Sequence, residues 1–287
     1  MARTERVTSL DDPRLDVFAR LTDRQLRAHV EEGRGICVVE SPMAVEVALD
    51  EGVGPVAFLV AERQLASCGG LLDRTGDDVP AFVLPEDEAS RLVGYPLTRG
   101  FLCAMRRPPV RGVAEVVAGA RHVVVAEDLV DVSNVGALVR SAAALGADAL
   151  VLSPGCADPL CRRAIRVSMG TCFKLPWARA AQGEWPEGTF ALLRAEGIST
   201  CALALAEGAR PLGDPALAEA LGPRRAVVLG SEAPGLDPRT LACCDEVAVI
   251  PMARGVDSLH VAAAGAVAFW QLFCEGERAQ GATNTRG

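Results

Sequence analysis

The chain has 287 residues, half of them hydrophobic and 23% charged, with a formal net charge of −8. That length carries a prior of about two domains and can bury a large core, which excludes a disordered tail or a disulfide-stapled miniprotein. No apolar run approaches the ~18 residues of a membrane span, since the longest candidate, Val261 to Cys274, is too short and carries Gln271; a protein with no membrane partner is expected.

The N-terminus has no apolar stretch behind its arginines, so no secretory signal is read there and a cytoplasmic location is expected. Short β-branched runs then alternate with Ala/Leu-rich amphipathic runs, the mark of βαβ units, and an α/β fold is expected throughout. In the first part the pattern predicts strands at Ile36 to Glu40, Val56 to Val60, Ala81 to Leu84 and Phe101 to Met105. Helices are expected near Arg24 to Glu31, Pro42 to Glu51 and Glu86 to Leu92, with a Gly/Asp-rich loop from Ser67 to Val79. Residues 106–112, RRPPVRG, read as a linker between a first domain, 1–105, and a second, 113–276. Beyond it come strands at His122 to Ala126, Ala149 to Leu152, Thr200 to Leu205, Ala226 to Leu229 and Val247 to Pro251, with helices between. Ser133 is placed to cap a helix running to Gly146, and a last apolar helix covers roughly Leu259 to Cys274. The polar tail, 277–287, is expected to be disordered.

Of the 29 cationic residues, 28 are arginine and one is lysine, Lys174. Lys174 follows Phe173 rather than a glycine, which excludes a Walker-type P-loop, and nothing around it is built for Schiff-base chemistry. The ten cysteines form no CxxC pair and read as reduced, mostly buried thiols. His29, His122 and His260 stand at no zinc-ligand spacing, so no metal is expected. Residues 1–112 and the remainder each come to −4, so nucleic-acid affinity does not show in the average charge. It shows, if anywhere, in local arginine clusters: Arg106, Arg107 and Arg111; Arg162, Arg163 and Arg166; Arg224 and Arg225. Planar guanidinium groups grip phosphates bidentately, although any one cluster reads equally well as solvated surface.

Ligands of α/β domains bind where strand C-termini meet helix N-termini, and three strand exits are unusual. The first, residues 127–146, enters a helix holding Asn134, Gly136 and Arg140. Six residues separate Asn134 from Arg140, so the two share a mouth only if Asn134 stands in the first turn; as ordinary structure, Asn134 caps the helix and Arg140 is surface. The second, VLGSEAPGLD, ends a strand in a Gly-rich turn with one carboxylate, Glu232, and no GxGxxG occurs anywhere in the chain. The third, VIPMARGVDSLHV, places Pro251 at a strand end and Asp257 or Ser258 as a helix cap.

In this order and spacing the three segments resemble the SpoU, or TrmH, family of the SPOUT RNA methyltransferases. The first is similar to its N-x-G-x-x-x-R motif through Asn134, Gly136 and Arg140, and the second to its G-x-E-x-x-G motif through Gly230, Glu232 and Gly235. The third resembles its I-P-M and S-L-N-V motif as Ile250, Pro251, Met252 and Ser258, Leu259, His260, Val261, with His260 where the family usually has asparagine. A looser resemblance covers the front, where the chain looks like the family's small α/β, ribosomal-protein-like RNA-binding domain, with Glu40 and Ser41 in place of the usual Glu-Gly.

The resemblance implies transfer of a methyl group from S-adenosyl-L-methionine to a ribose 2′-hydroxyl of tRNA or rRNA. It also implies a parallel sheet with a deep C-terminal trefoil knot and a homodimer formed through the knotted domain. By the same resemblance Leu229, Gly230, Ser231, Gly235, Ile250, Pro251, Met252 and Leu259 hold the cofactor, and Arg140, Asn134, Glu232, Ser258 and His260 are the catalytic set. Arg106, Arg107, Arg162, Arg163 and Arg166 are the candidate RNA contacts. A guanidinium is always protonated, so Arg140 is read as stabilising negative charge on the 2′-oxygen rather than as a base. Glu232 reads equally as a carboxylate pinning the backbone N–H groups of its loop. The competing readings are a non-catalytic RNA-binding or ribosome-assembly protein that keeps the fold, and a nucleotide-dependent enzyme of ordinary doubly wound type.

Overall fold

The computed structural model describes residues 1–22, 31, 33–231, 234–255 and 258–274. They divide into two compact units, one of residues 1–109 with 160–174, the other of 110–159 with the residues from 175 onward. The division at Pro109 falls inside the expected linker, whereas residues 160–174 group with the first unit and not with the second, where the sequence places them. The helix expected near Arg24 to Glu31, apart from Glu31, and the tail 277–287 lie outside the described residues.

The first unit contains β1 (Arg3–Arg6), β2 (Ile36–Glu40), α1 (Pro42–Asp50), β3 (Pro55–Ala61), α2 (Gly69–Asp73), β4 (Pro80–Leu84), α3 (Glu86–Val93) and β5 (Phe101–Arg106). Its sheet runs β1-β4-β3-β5-β2, parallel except at β5, which pairs antiparallel with both neighbours. The strand runs ICVVE and PAFVL are buried almost throughout, and Leu15, Phe18, Leu59, Phe82 and Leu92 belong to one core cluster. α2 lies inside the segment expected to be a loop. Ser41 precedes α1 with φ 100° and ψ 143°, a conformation that L residues avoid, and its Oγ accepts a hydrogen bond from the Ala44 N–H at 3.4 Å. Glycine adopts that backbone without strain, so Ser41→Gly is expected to stabilise the protein. The strain relieved, about 1 to 3 kcal/mol, exceeds the few tenths lost with the cap. Chemical denaturation reads the gain as a higher midpoint at unchanged slope.

The second unit continues with α4 (Val113–Val117), β6 (His122–Ala126), α5 (Val132–Ala144) and β7 (Ala149–Leu152). The chain then forms α6 (Arg162–Ser168), which packs on β2 of the first unit's own sheet. It returns with β8 (Trp177–Arg179), α7 (Glu187–Ala195), β9 (Ser199–Leu203), β10 (Arg210–Pro211), α8 (Pro215–Leu221), β11 (Arg225–Leu229), α9 (Pro238–Cys243), β12 (Glu246–Val249) and α10 (Val261–Phe269). Seven strands form one all-parallel sheet, β10-β12-β9-β11-β6-β7-β8. Its central strands, HVVVA, ALVL and RAVVL, are buried at every residue, as expected for a parallel sheet covered on both faces.

Three expected caps and ends move. Asp131, not Ser133, caps α5, its Oδ1 accepting from the N–H of Ser133 at 2.6 Å and of Asn134 at 3.2 Å. A carboxylate one residue before the helix reaches those orphan donors, whereas the Ser133 hydroxyl is buried with no hydrogen-bond partner among the described residues. β12 stops at Val249, two residues before Pro251. The last helix begins at Val261 with His260 at its cap position, and its end, Trp270–Cys274, is a π turn.

α6 is held in the first unit by charge. Glu40, at the end of β2, is 2% exposed, and its Oε2 accepts from Arg162 Nη1 at 2.6 Å and from the Tyr95 hydroxyl at 3.1 Å. Arg162 also donates to the Tyr95 oxygen at 2.9 Å, and its guanidinium carbon stands 4.5 Å above the Tyr95 ring. Burial pushes the Tyr95 phenol up, so it stays protonated and donates. Arg162, expected among the RNA contacts, is thus committed to a structural ion pair, and Arg166, more exposed, also reaches Glu40, its Nη1 standing 3.6 Å from Oε1, while Arg163 is exposed.

Candidate active site at the ends of the parallel strands

The strand ends of β9, β11 and β12 open onto a cavity of about 310 Å³ in the second unit. Leu229 leaves β11 into a loop that doubles back on itself: a Cβ on Gly230 would stand 2.6 Å from the Gly235 carbonyl carbon and 2.7 Å from the Leu236 nitrogen. Only glycine permits that approach. The loop is fixed from below by Glu127, the residue that follows β6 and is 3% exposed. One Glu127 carboxylate oxygen accepts from Trp185 Nε1 at 2.9 Å and Thr240 Oγ1 at 2.5 Å, the other from the Asp237 N–H at 2.8 Å. Its own N–H donates to the Leu229 carbonyl at 2.8 Å.

Of the residues expected at the cofactor, Leu229, Gly230, Ser231, Gly235, Ile250, Met252 and Leu259 line the cavity, joined by Ser258 from the expected catalytic set. Pro251 is exposed and is not part of the lining. The end of β9 supplies Leu203, Ala204 and Leu205, which the sequence marks only as apolar strand residues. The lining is thus apolar side chains combined with the main chain of a glycine turn, a fit for an adenosyl group that is held by van der Waals contact and peptide groups.

Asn134 occupies the first turn of α5 and is half-buried, and its Oδ1 accepts a hydrogen bond from His260 Nε2 at 2.8 Å. The first and third sequence segments therefore meet through these two side chains, with His260 next in the chain to the cavity residues Ser258 and Leu259. Arg140 lies six residues further along α5, about 9 Å along the axis and on a different face. Its guanidinium is exposed and has no ion-pair or hydrogen-bond partner among the described residues. Glu232 and Asp257 lie outside the described residues, so the loop's carboxylate anchor that the structure does show is Glu127. The signal for it was an acid closing an otherwise apolar strand. Arg106 is exposed at the end of β5, and Arg107 beside it is half-buried.

Residues 121–270 match the model of the SpoU rRNA Methylase family. The chain belongs to that family. A tRNA/rRNA methyltransferase of Mycobacterium tuberculosis, itself uncharacterized, is 40% identical over 261 residues, covering 91% of this chain and 88% of that protein. The 23S rRNA (guanosine(2553)-2′-O)-methyltransferase RlmP of Bacillus subtilis is 31% identical over 158 residues, covering 55% of this chain and 60% of its own length. Among solved structures, the AdoMet-bound rRNA methyltransferase from Sinorhizobium meliloti superposes with a TM-score of 0.78 at 21% identity, covering 95% of this chain and 98% of that one. The α/β fold with its parallel sheet is thus that of the SPOUT methyltransferases, and S-adenosylmethionine is the family's methyl donor. No helix among the described residues is long and apolar enough to cross a membrane.

Because Glu127 holds the returning end of the Gly230 to Asp237 loop, Glu127→Gln is expected to raise KM for S-adenosylmethionine about tenfold, the worth of one mispaired buried hydrogen bond. kcat at saturating cofactor stays near the original value. Steady-state kinetics with varied cofactor check this; a fall in kcat at unchanged KM contradicts it.

Proposed function

We propose that this protein transfers a methyl group from S-adenosylmethionine to a ribose 2′-hydroxyl of tRNA or rRNA. The observation that carries the reading is the Asn134 to His260 hydrogen bond beside a cavity of adenosyl character. The printed activity of the Bacillus subtilis relative supports the 2′-hydroxyl as acceptor. S-adenosylmethionine supplies a methyl group already activated by its sulfonium, so the chain's own task is alignment and charge stabilisation rather than metal-assisted activation. Leu229, Gly230, Ser231, Gly235, Ile250, Met252 and Leu259 hold the cofactor, largely through main-chain groups. The Asn134 amide, fixed by His260, and the Ser258 hydroxyl orient the ribose. Arg140 grips the adjacent phosphate and stabilises the negative charge that develops on the 2′-oxygen. Glu232 completes this set, and Arg106, Arg107, Arg163 and Arg166 contact the RNA backbone.

His260 keeps a hydrogen bond to Asn134, which favours an active enzyme over a non-catalytic relative. We read the segments after β11 and β12 as the trefoil knot, supported by their joint lining of one cavity. We read the protein as a homodimer, supported by the exposed apolar stripe Ala263, Val267 and Trp270 on the last helix and the π turn that continues it. Incubation with methyl-labelled S-adenosylmethionine and unmodified total RNA tests the activity. Label in the tRNA or rRNA fraction is expected; bound cofactor with no label in any RNA overturns the catalytic reading.

A further inference from the structure

A second cavity, of about 410 Å³, lies within the first unit at the starting ends of β2, β3 and β4. Ligands of α/β sheets ordinarily sit at the opposite, C-terminal strand ends. Three arginines, Arg14, Arg34 and Arg106, line it around a floor that includes Ile36, Ala57 and Phe82. We infer that this cavity binds one nucleotide of single-stranded RNA, its phosphate between Arg34 and Arg106 and its base on the guanidinium plane of Arg14. The inference rests on the proposed RNA substrate and adds a site that the three sequence segments do not contain.

Arg106 is paired in register with Ile36, and Arg34 stands two residues before Ile36, so the β2–β5 ladder brings the two guanidinium groups to one end of the sheet. Both are exposed, and neither has a carboxylate partner among the described residues. Two neighbouring cations without a counter-charge repel each other, and a bound phosphate reverses that repulsion into two charge-assisted hydrogen bonds. Arg14 is locked: Glu5 Oε2 accepts from Nη1 at 2.6 Å, Asp12 Oδ2 accepts from Nη2 at 2.7 Å, and the guanidinium carbon lies 5.2 Å from the Phe82 ring centroid. Its charge is balanced and its orientation fixed, leaving a rigid planar group that suits stacking by an unpaired base. Val56, 37% exposed at the rim, adds apolar surface for the base edge.

The test uses the full chain and the double variant Arg34→Gln, Arg106→Gln, checked for an unchanged unfolding temperature. Fluorescence anisotropy measures binding of a labelled oligouridylate and of a duplex RNA over a salt series. The oligouridylate affinity of the variant is expected to fall about 10- to 100-fold, and its salt slope to lessen by about 0.7, the value of one phosphate contact on a single strand. S-adenosylmethionine affinity stays at its original level, and duplex binding falls by a smaller factor than oligouridylate binding, since Arg106 also contacts the RNA backbone in the proposed function. An unchanged oligouridylate affinity and slope overturns the inference. So does a wild-type protein that methylates folded RNA yet does not bind the oligouridylate, and in that case the proposed activity stands. A wild-type protein that neither binds nor methylates any RNA removes both.

Discussion

Replacing Arg140 with alanine is expected to lower methyl transfer about 100- to 1,000-fold, the range found when one preorganised donor to a developing oxyanion is removed. S-adenosylmethionine affinity is expected to stay unchanged. The guanidinium is exposed on α5, has no partner among the described residues and does not line the cavity, so the folded chain neither spends it on structure nor uses it to hold the cofactor. In the proposed reading the guanidinium, which offers donors and no acceptor, stabilises charge on the 2′-oxygen and fixes the neighbouring phosphate. Single-turnover rates and cofactor titrations of Arg140→Ala separate these effects. Full activity in that variant removes Arg140 from the mechanism.

The largest stability effect is expected at Glu40. Its carboxylate is 2% exposed and accepts from both Arg162 and Tyr95, so Glu40→Ala leaves a guanidinium that is mostly shielded from water without its counter-charge. Breaking one side of a buried pair costs about 3 to 5 kcal/mol, a large part of the stability of a domain of this size. Urea denaturation is the measurement. The double variant Glu40→Ala, Arg162→Met is expected to lose less than the single one, because the unpaired charge goes with its partner. Equal losses in the two variants contradict a coupled pair.

How much was legible in the sequence depended on what each residue has to satisfy. HVVVA, ALVL and ICVVE are apolar at nearly every position because their strands are buried on both faces, and their limits read directly from the chain. RTER, WAR and the Arg210–Pro211 pair went unread as strands. β1, β8 and β10 are two to four residues long and partly exposed, so no continuous apolar run marks them, whereas β2, also a sheet edge, reads because it is buried at every residue. The meeting of Asn134 with the third segment was legible through the motif order, but its chemical form, a hydrogen bond from His260, needed coordinates. Arg162 was misleading for the same reason: adjacent arginines look alike in sequence, and only the tertiary position of Glu40, 122 residues away, commits one of them to the interior. Glu127 was passed over because a lone acid at a strand end carries no motif, and its three donors come from residues 185, 237 and 240.

The central claim is that the methyl group goes to a ribose oxygen. Labelled RNA from the methyl-transfer reaction, hydrolysed completely with alkali, tests it most directly, since a 2′-O-methyl group blocks cleavage of the following phosphodiester. The account predicts label in an alkali-resistant dinucleotide that yields a 2′-O-methylated nucleoside on further digestion. Label recovered in a base-methylated mononucleotide contradicts it.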